Sequence, residues 1–150
     1  MSLDEAAYVK YAPELLRFAA GLVGPSMADD VLMSAFLDAM SSRRWQGVDD
    51  QRAYLYRTVL NEARQHHRRD RRRLAREFTA ARREQAPSTE ATVELAVALA
   101  ALSTTERALI FLTYWGGCTA ADTAVTLSLS QRSVERHLQH ARTQLRKALQ

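Results

Sequence analysis

The chain has one cysteine, two lysines, three prolines and five glycines among its 150 residues. Each shortage excludes something. With Cys118 alone, no intrachain disulfide and no cysteine-built metal centre can form, and the chain fits a reducing compartment. Cys118 itself reads as a small apolar filler. No run of about 18 apolar residues exists and no basic-plus-apolar leader precedes the first helical stretch, so a cytoplasmic protein without membrane insertion is expected. Glycine and proline are scarce, alternating strand-like runs are hard to find, and alanine, leucine and arginine recur at helical spacing. An all-α fold is predicted. No Ser/His/Asp set, glycine-rich phosphate loop or carboxylate pair stands at useful spacing, so neither an enzyme nor a cofactor is expected.

The near-absence of lysine leaves arginine to carry the positive charge, and its distribution is uneven. Residues 1 to 56 hold 5 basic and 8 acidic groups, residues 57 to 83 hold 10 and 3, and residues 84 to 150 hold 6 and 6. All ten basic groups of the middle band are arginines. The planar fork of arginine suits phosphate, and a GC-rich genome would produce the same bias.

Helical periodicity organises the rest. In "LDEAAYVKYAPELLRFAAGLVG" the positions Val9, Ala12, Leu15, Leu16, Ala19 and Leu22 form one stripe, with Pro13 either opening a second helix or bending a single one. A second helix over about 28–40 buries Val31, Leu32, Ala35, Phe36 and Ala39, with Asp29 and Asp30 in its first turn. A loop follows, with Gly47 as its turn residue and Asp50 as N-cap of a third helix whose stripe is Leu55, Val59, Ala63 and His66. Residues 74–92 are polar, contain Pro87 and have few large apolar groups, which predicts a partly helical, partly extended linker. Two small helical domains are therefore expected, 1–75 and 93–150, with 76–92 between them. After a short helix over 93–102, Ser103 and Glu106 have capping-box spacing.

The last third is the most informative. A short helix over 119–127, a three-residue connection and a longer helix from Gln131 have helix-turn-helix spacing. Val134, Leu138, Ala141 and Leu145 share one face of the longer helix, at offsets of 4, 7 and 11. The opposite face presents Arg132, Arg136, Gln139 and Thr143, with Gln131 and Glu135 near the N-terminal end; these residue types contact base edges and phosphates. An ordinary antiparallel helix pair satisfies the same pattern.

Residues 102–146, "LSTTERALIFLTYWGGCTAADTAVTLSLSQRSVERHLQHARTQLR", resemble the fourth conserved region of bacterial RNA polymerase sigma factors of the extracytoplasmic-function group. Residues 1–73 resemble the second region: "ADDVLMSAF" stands for an Ala-Glu-Asp-Leu-Val-Gln-Glu-x-Phe-like motif, and "AYLYRTVLNEARQHHRR" for Trp-Leu-x-x-Ile-Ala-x-Asn followed by basic residues. The sequence departs from the pattern where Met33 and Ser34 replace Gln and Glu, Tyr54 replaces Trp, Asp122 replaces Glu, and Ser128 holds the tight-turn position usually given to Gly. A left-handed Ser128 is expected there, at a cost of roughly 1 kcal/mol.

The resemblance implies a promoter-specificity subunit with core RNA polymerase and promoter DNA as partners, and often an anti-sigma factor. Asp29, Asp30 and Met33 would dock on the clamp helices of the largest polymerase subunit, and the C-terminal domain would rest on the flap of the second-largest. Arg57, Asn61, Arg64, Arg68 and Arg72, at offsets of 4, 7, 11 and 15, would track the phosphates of the minus-ten element from one helical strip. Gln131, Arg132, Ser133, Glu135, Arg136 and Gln139 would read the minus-thirty-five element. Trp45 and Tyr54 are candidates for base stacking or for the core. His66, His67 and Asp70 are not expected to hold a metal, because adjacent histidines point to different helix faces among repelling cations. A stand-alone helix-turn-helix regulator and a helical adaptor or inhibitor of a sigma factor are the rival readings.

Overall fold

The computed structural model describes residues 2–66, 71–83 and 90–150. Within them lie eight α-helices and no strand. Helix α1 (Leu3–Val23) is capped by Ser2, whose hydroxyl accepts from the Glu5 amide at 3.1 Å. It runs unbroken through Pro13. The ring removes one backbone donor, but on a side where both Pro13 and Val9 face solvent, so water can satisfy the carbonyl left behind. Val9 is accordingly 62 % exposed and does not belong to the core stripe, whereas Phe18, absent from that stripe, is fully buried.

Gly24 ends α1 at φ +86° and Pro25 opens α2 (Pro25–Ser41). Proline is favoured at a helix start because its missing amide has no partner there anyway. This early start moves Asp29 and Asp30 out of the first turn, contrary to the expectation from sequence. The N-terminus of α2 is served instead from a distance, by Glu77, which accepts from the Ser26 amide at 2.9 Å.

A short 3-10 turn at Trp45–Gly47 leads to α3 (Gln51–Gln65), capped by Asp50 through the Ala53 amide at 3.0 Å. Leu55, Val59 and Ala63 are buried as expected; His66 is half-buried and forms the C-cap. Because α3 stops at Gln65, the arginine strip is not one helix. Arg57, Asn61 and Arg64 lie on α3, Arg72 lies on the next helix, and Arg68 is outside the described residues, as are His67 and Asp70.

Helix α4 (Arg71–Arg83) covers the first part of the segment expected to be a partly helical, partly extended linker, and it packs against a second helix. Leu74, Ala75 and Phe78 form a small core with Ala96 and Ala100 of α5 (Glu90–Ala101). Few apolar residues suffice because they share one face and find a second helix to cover it. Helices α6 (Thr104–Tyr114), α7 (Ala120–Leu127) and α8 (Gln131–Ala148) complete the chain. Ser103 and Glu106 form the expected capping box.

The two helical units are packed together. One hydrophobic core runs from Leu15, Phe18 and Leu22 through Leu55 and Val59 to Leu109, Leu127, Val134 and Leu138. Beside it, Glu62 of α3 is buried and hydrogen-bonded to Asp38 of α2; that bond, then burial, then the Asp38 charge push its carboxyl up to about 7. A folded-state value above the unfolded 4.5 gives stability that is complete below 4.5 and lost as pH rises through about 7. The Glu62→Gln variant should lose this part of the pH dependence, read as thermal midpoint against pH. An unchanged slope would remove Glu62 as its source.

Candidate nucleic-acid interface

The helix-turn-helix begins at Thr119, whose hydroxyl accepts from the Asp122 amide at 3.0 Å while the Asp122 carboxylate accepts from the Thr119 amide at 3.3 Å. Asp122 thus completes a capping box with Thr119. The turn hinges on Ser128, which adopts φ 54° and ψ 45°, the left-handed conformation expected of it. Ser130 then caps α8, accepting from the Ser133 amide at 3.1 Å. Ser128→Gly should stabilise the chain by about 1 kcal/mol, since glycine has no β-carbon to strain in this conformation. A denaturant midpoint that falls would show that the Ser128 side chain contributes more than it costs.

Helix α8 has two distinct faces. Val134, Leu138 and Ala141 are buried against α6 and α7, with Leu145 half-buried. Gln131, Arg132, Glu135, Arg136 and Gln139 are exposed, and Ser133 is half-buried. The Gln131 amide donates to Glu135 at 3.1 Å, which fixes two neighbouring polar groups at the N-terminal end. Thr143 is half-buried and donates to the Gln139 carbonyl at 2.9 Å, so it offers less to a ligand than its position suggests.

The arginines of α3 stand differently. Arg57 is half-buried and donates to the Thr126 carbonyl at 3.1 Å, at the C-terminus of α7. Arg64 is exposed, but its Nε and Nη2 both donate to Thr105 Oγ1 of α6, at 3.1 and 2.6 Å, and its Nη1 donates to Asn61. Two members of the expected phosphate strip are therefore bonded to the chain's own C-terminal unit, contrary to a free cationic surface. The reason is that α6 and α7 lie against α3 and present a helix-end carbonyl and a hydroxyl, both ready acceptors.

On α2, Asp29 and Asp30 are exposed, Met33 is 49 % exposed and Leu37, one turn further on, is 60 % exposed. Leu37 was not anticipated, although its spacing from Met33 places both on one face. Trp45 is core: it is 1 % exposed and its indole donates to Asp4 at 2.8 Å. Tyr54 is half-buried beside it, ring centroids 5.9 Å apart. Also unanticipated are the exposed Tyr114 and Trp115 at the end of α6.

An N-terminal helical unit with a cationic third helix, followed by a helix-turn-helix with an outward polar face, is the architecture of a two-part promoter-binding protein. The chain matches Sigma-70 region 2 over residues 7–73 and Sigma-70, region 4 over residues 92–145. It is 32 % identical over 149 residues to the RNA polymerase sigma-E factor of Streptomyces antibioticus, covering 91 % of this chain and 78 % of that one. Its fold is like that of the sigma factor RpoE crystallised with the anti-sigma factor NepR from Bartonella quintana, with a TM-score of 0.67 at 19 % identity, over 97 % of this chain and 95 % of that one. The chain belongs to the sigma-70 family, in its extracytoplasmic-function group. It acts as a promoter-specificity factor in transcription initiation.

Proposed function

We propose that promoter selection by this chain is divided between two units, 1–75 and 93–150, joined by 76–92. The outward N-terminal half of α8, with Arg132, Glu135, Arg136 and Gln139 exposed on a helix held by a left-handed turn, carries this reading. It enters the major groove of the minus-thirty-five element, where arginine reads guanine with two parallel hydrogen bonds. Gln131 and Ser133 stand at the phosphate edge. The arginine face of α3, with Arg57, Asn61 and Arg64, engages the minus-ten element, and Arg68 and Arg72 extend the contact along the phosphates.

Core RNA polymerase is the second partner. The α2 face of Asp29, Asp30, Met33 and Leu37 combines charge with exposed apolar area, a combination that suits a protein interface, and we assign it to the clamp helices of the largest subunit. The C-terminal unit rests on the flap of the second-largest subunit. Two tethered modules on one promoter raise effective concentration without any single tight contact. The protein works where the polymerase is, in the cytoplasm, by binding alone; among the described residues no helix is long and apolar enough to cross a membrane. An anti-sigma protein is a third proposed partner, on the precedent of the Bartonella complex.

Run-off transcription with bacterial core polymerase on a GC-rich promoter library tests the reading, and no initiation above core alone would overturn it. On a selected promoter, Arg136→Ala should weaken minus-thirty-five recognition by about 1 to 3 kcal/mol. An equal loss on scrambled duplexes would make Arg136 a phosphate contact rather than a base reader.

A further inference from the structure

Between α1, α4 and α6 the structure leaves an open cavity of about 200 Å³. Its walls are apolar and largely aromatic, with Phe78 from α4, Leu99 from α5, Ile110 and Phe111 from α6, and Trp115 just beyond it. A β-carbon on Gly21 would stand 2.9 Å from Phe111 Cδ2, so the ring lies on the α1 backbone only because position 21 has no side chain. Phe111 and Trp115 are nearly parallel, 17° between planes with centroids 6.0 Å apart, yet the indole remains 59 % exposed. A tryptophan this open in an apolar wall presents an uncovered ring face.

The charge on the lining has one sign. Arg17, Arg82 and Arg107 all border the cavity, and among the described residues no acidic side chain does. Arg107 is buried and donates to the Leu22 and Leu102 carbonyls. Arg17 is exposed and Arg82 half-buried, and among the described residues neither makes a hydrogen bond or ion pair. Uncommitted guanidinium groups beside an apolar slot match a carboxylate, which accepts paired hydrogen bonds from the planar fork.

We propose that this cavity binds a small aryl carboxylate, its ring on the Phe78, Phe111 and Trp115 wall and its carboxylate on Arg17 and Arg82. The size agrees. An apolar cavity of about 150 Å³ takes up one benzene ring, so a space of about 200 Å³ holds a ring with a short chain. Neither the exposed face of α8 nor the arginines of α3 line it, so the inference goes beyond the promoter reading and does not depend on it. A neighbouring groove shares Trp115 and carries Arg142 and Arg146, but Arg142 already donates to Tyr114 Oη at 2.8 Å.

Hydrocinnamate, a phenyl ring on two methylenes and a carboxylate, is the probe, and neutral hydrocinnamamide controls for its charge. Of the two tryptophans Trp115 is exposed and Trp45 buried, so a saturable change in tryptophan emission reports the site. The acid should saturate at about millimolar concentration, usual for so few atoms, and should raise the thermal midpoint as its concentration rises. The amide should bind about tenfold more weakly. The double variant Arg17→Gln with Arg82→Gln should bring the acid down to the level of the amide and leave the amide unchanged. Ala81→Leu, which fills the cavity, should abolish binding of both. No saturation by about 10 mM, equal affinity for acid and amide, or binding retained by Ala81→Leu overturns the proposal. So does a loss of acid affinity in Arg142→Gln with Arg146→Gln that the Arg17 and Arg82 pair does not show. None of these outcomes bears on promoter selection, which run-off transcription tests separately.

Discussion

Replacing Trp45 by alanine should lower stability by about 3–5 kcal/mol, the usual cost of emptying a buried aromatic site. The indole is 1 % exposed, packs near Tyr54, and donates to Asp4 at 2.8 Å. It therefore ties the loop after α2 to the first turn of α1, and its loss opens a cavity and frees a helix end together. Trp45→Phe keeps most of the apolar volume and gives up the Asp4 bond, so its cost should be nearer about 1–2 kcal/mol. Denaturant unfolding of the two variants checks both values. A loss under about 1 kcal/mol for Trp45→Ala would deny the ring its core role and return it to the base-stacking candidates.

Arg107→Met should cost about 2–5 kcal/mol, because it leaves the buried Leu22 and Leu102 carbonyls without a donor. Methionine fills much the same volume, so the loss reports hydrogen bonding rather than a cavity. Arg107→Lys should recover little, since a single ammonium on a flexible stem cannot serve carbonyls on two different elements in the fixed geometry of a guanidinium fork. Amide exchange should show the loss of protection at the C-terminus of α1 as well as in α6, since the side chain joins the two units. Protection lost in α6 alone would make Arg107 an internal strut of the C-terminal unit.

The helix-turn-helix was the part of the fold most fully readable from the sequence. Its short connection from Ser128 to Ser130, its left-handed Ser128 and the two faces of α8 all follow from interactions within a few residues, which a sequence states directly; the caps at Thr119 and Ser130 came only with the structure. Local capping was readable at Ser103 with Glu106 and at Asp50. Where a cap came from far away, the reading failed: Glu77 serves the start of α2 from 51 residues along the chain, and nothing near Pro25 announces it. The α1 stripe went wrong at Val9 for a related reason, since periodicity identifies a face but not how far along the helix a partner covers it. The residues of α4 looked too polar to pack, because a half-apolar helix is stable only once its companion α5 is in place.

Of the candidate interface, the sequence identified the residue types and the α8 face, and no more was available from spacing. Whether an arginine on α3 meets solvent, DNA or its own chain depends on what lies across from it. Trp45 and Tyr54 posed the same difficulty, and only the position of Asp4 resolved the tryptophan.

By itself, then, the sequence determined helical content, the local caps at Asp50 and Ser103, the helix-turn-helix and the family resemblance, all of which rest on short-range stereochemistry and on residue patterns. The tertiary structure alone decided that the two units share one core and that Arg57 and Arg64 are bonded across it. Those contacts join residues 41 and 69 positions apart, where a pair of side chains is selected by the packing of whole helices and not by anything either segment encodes on its own.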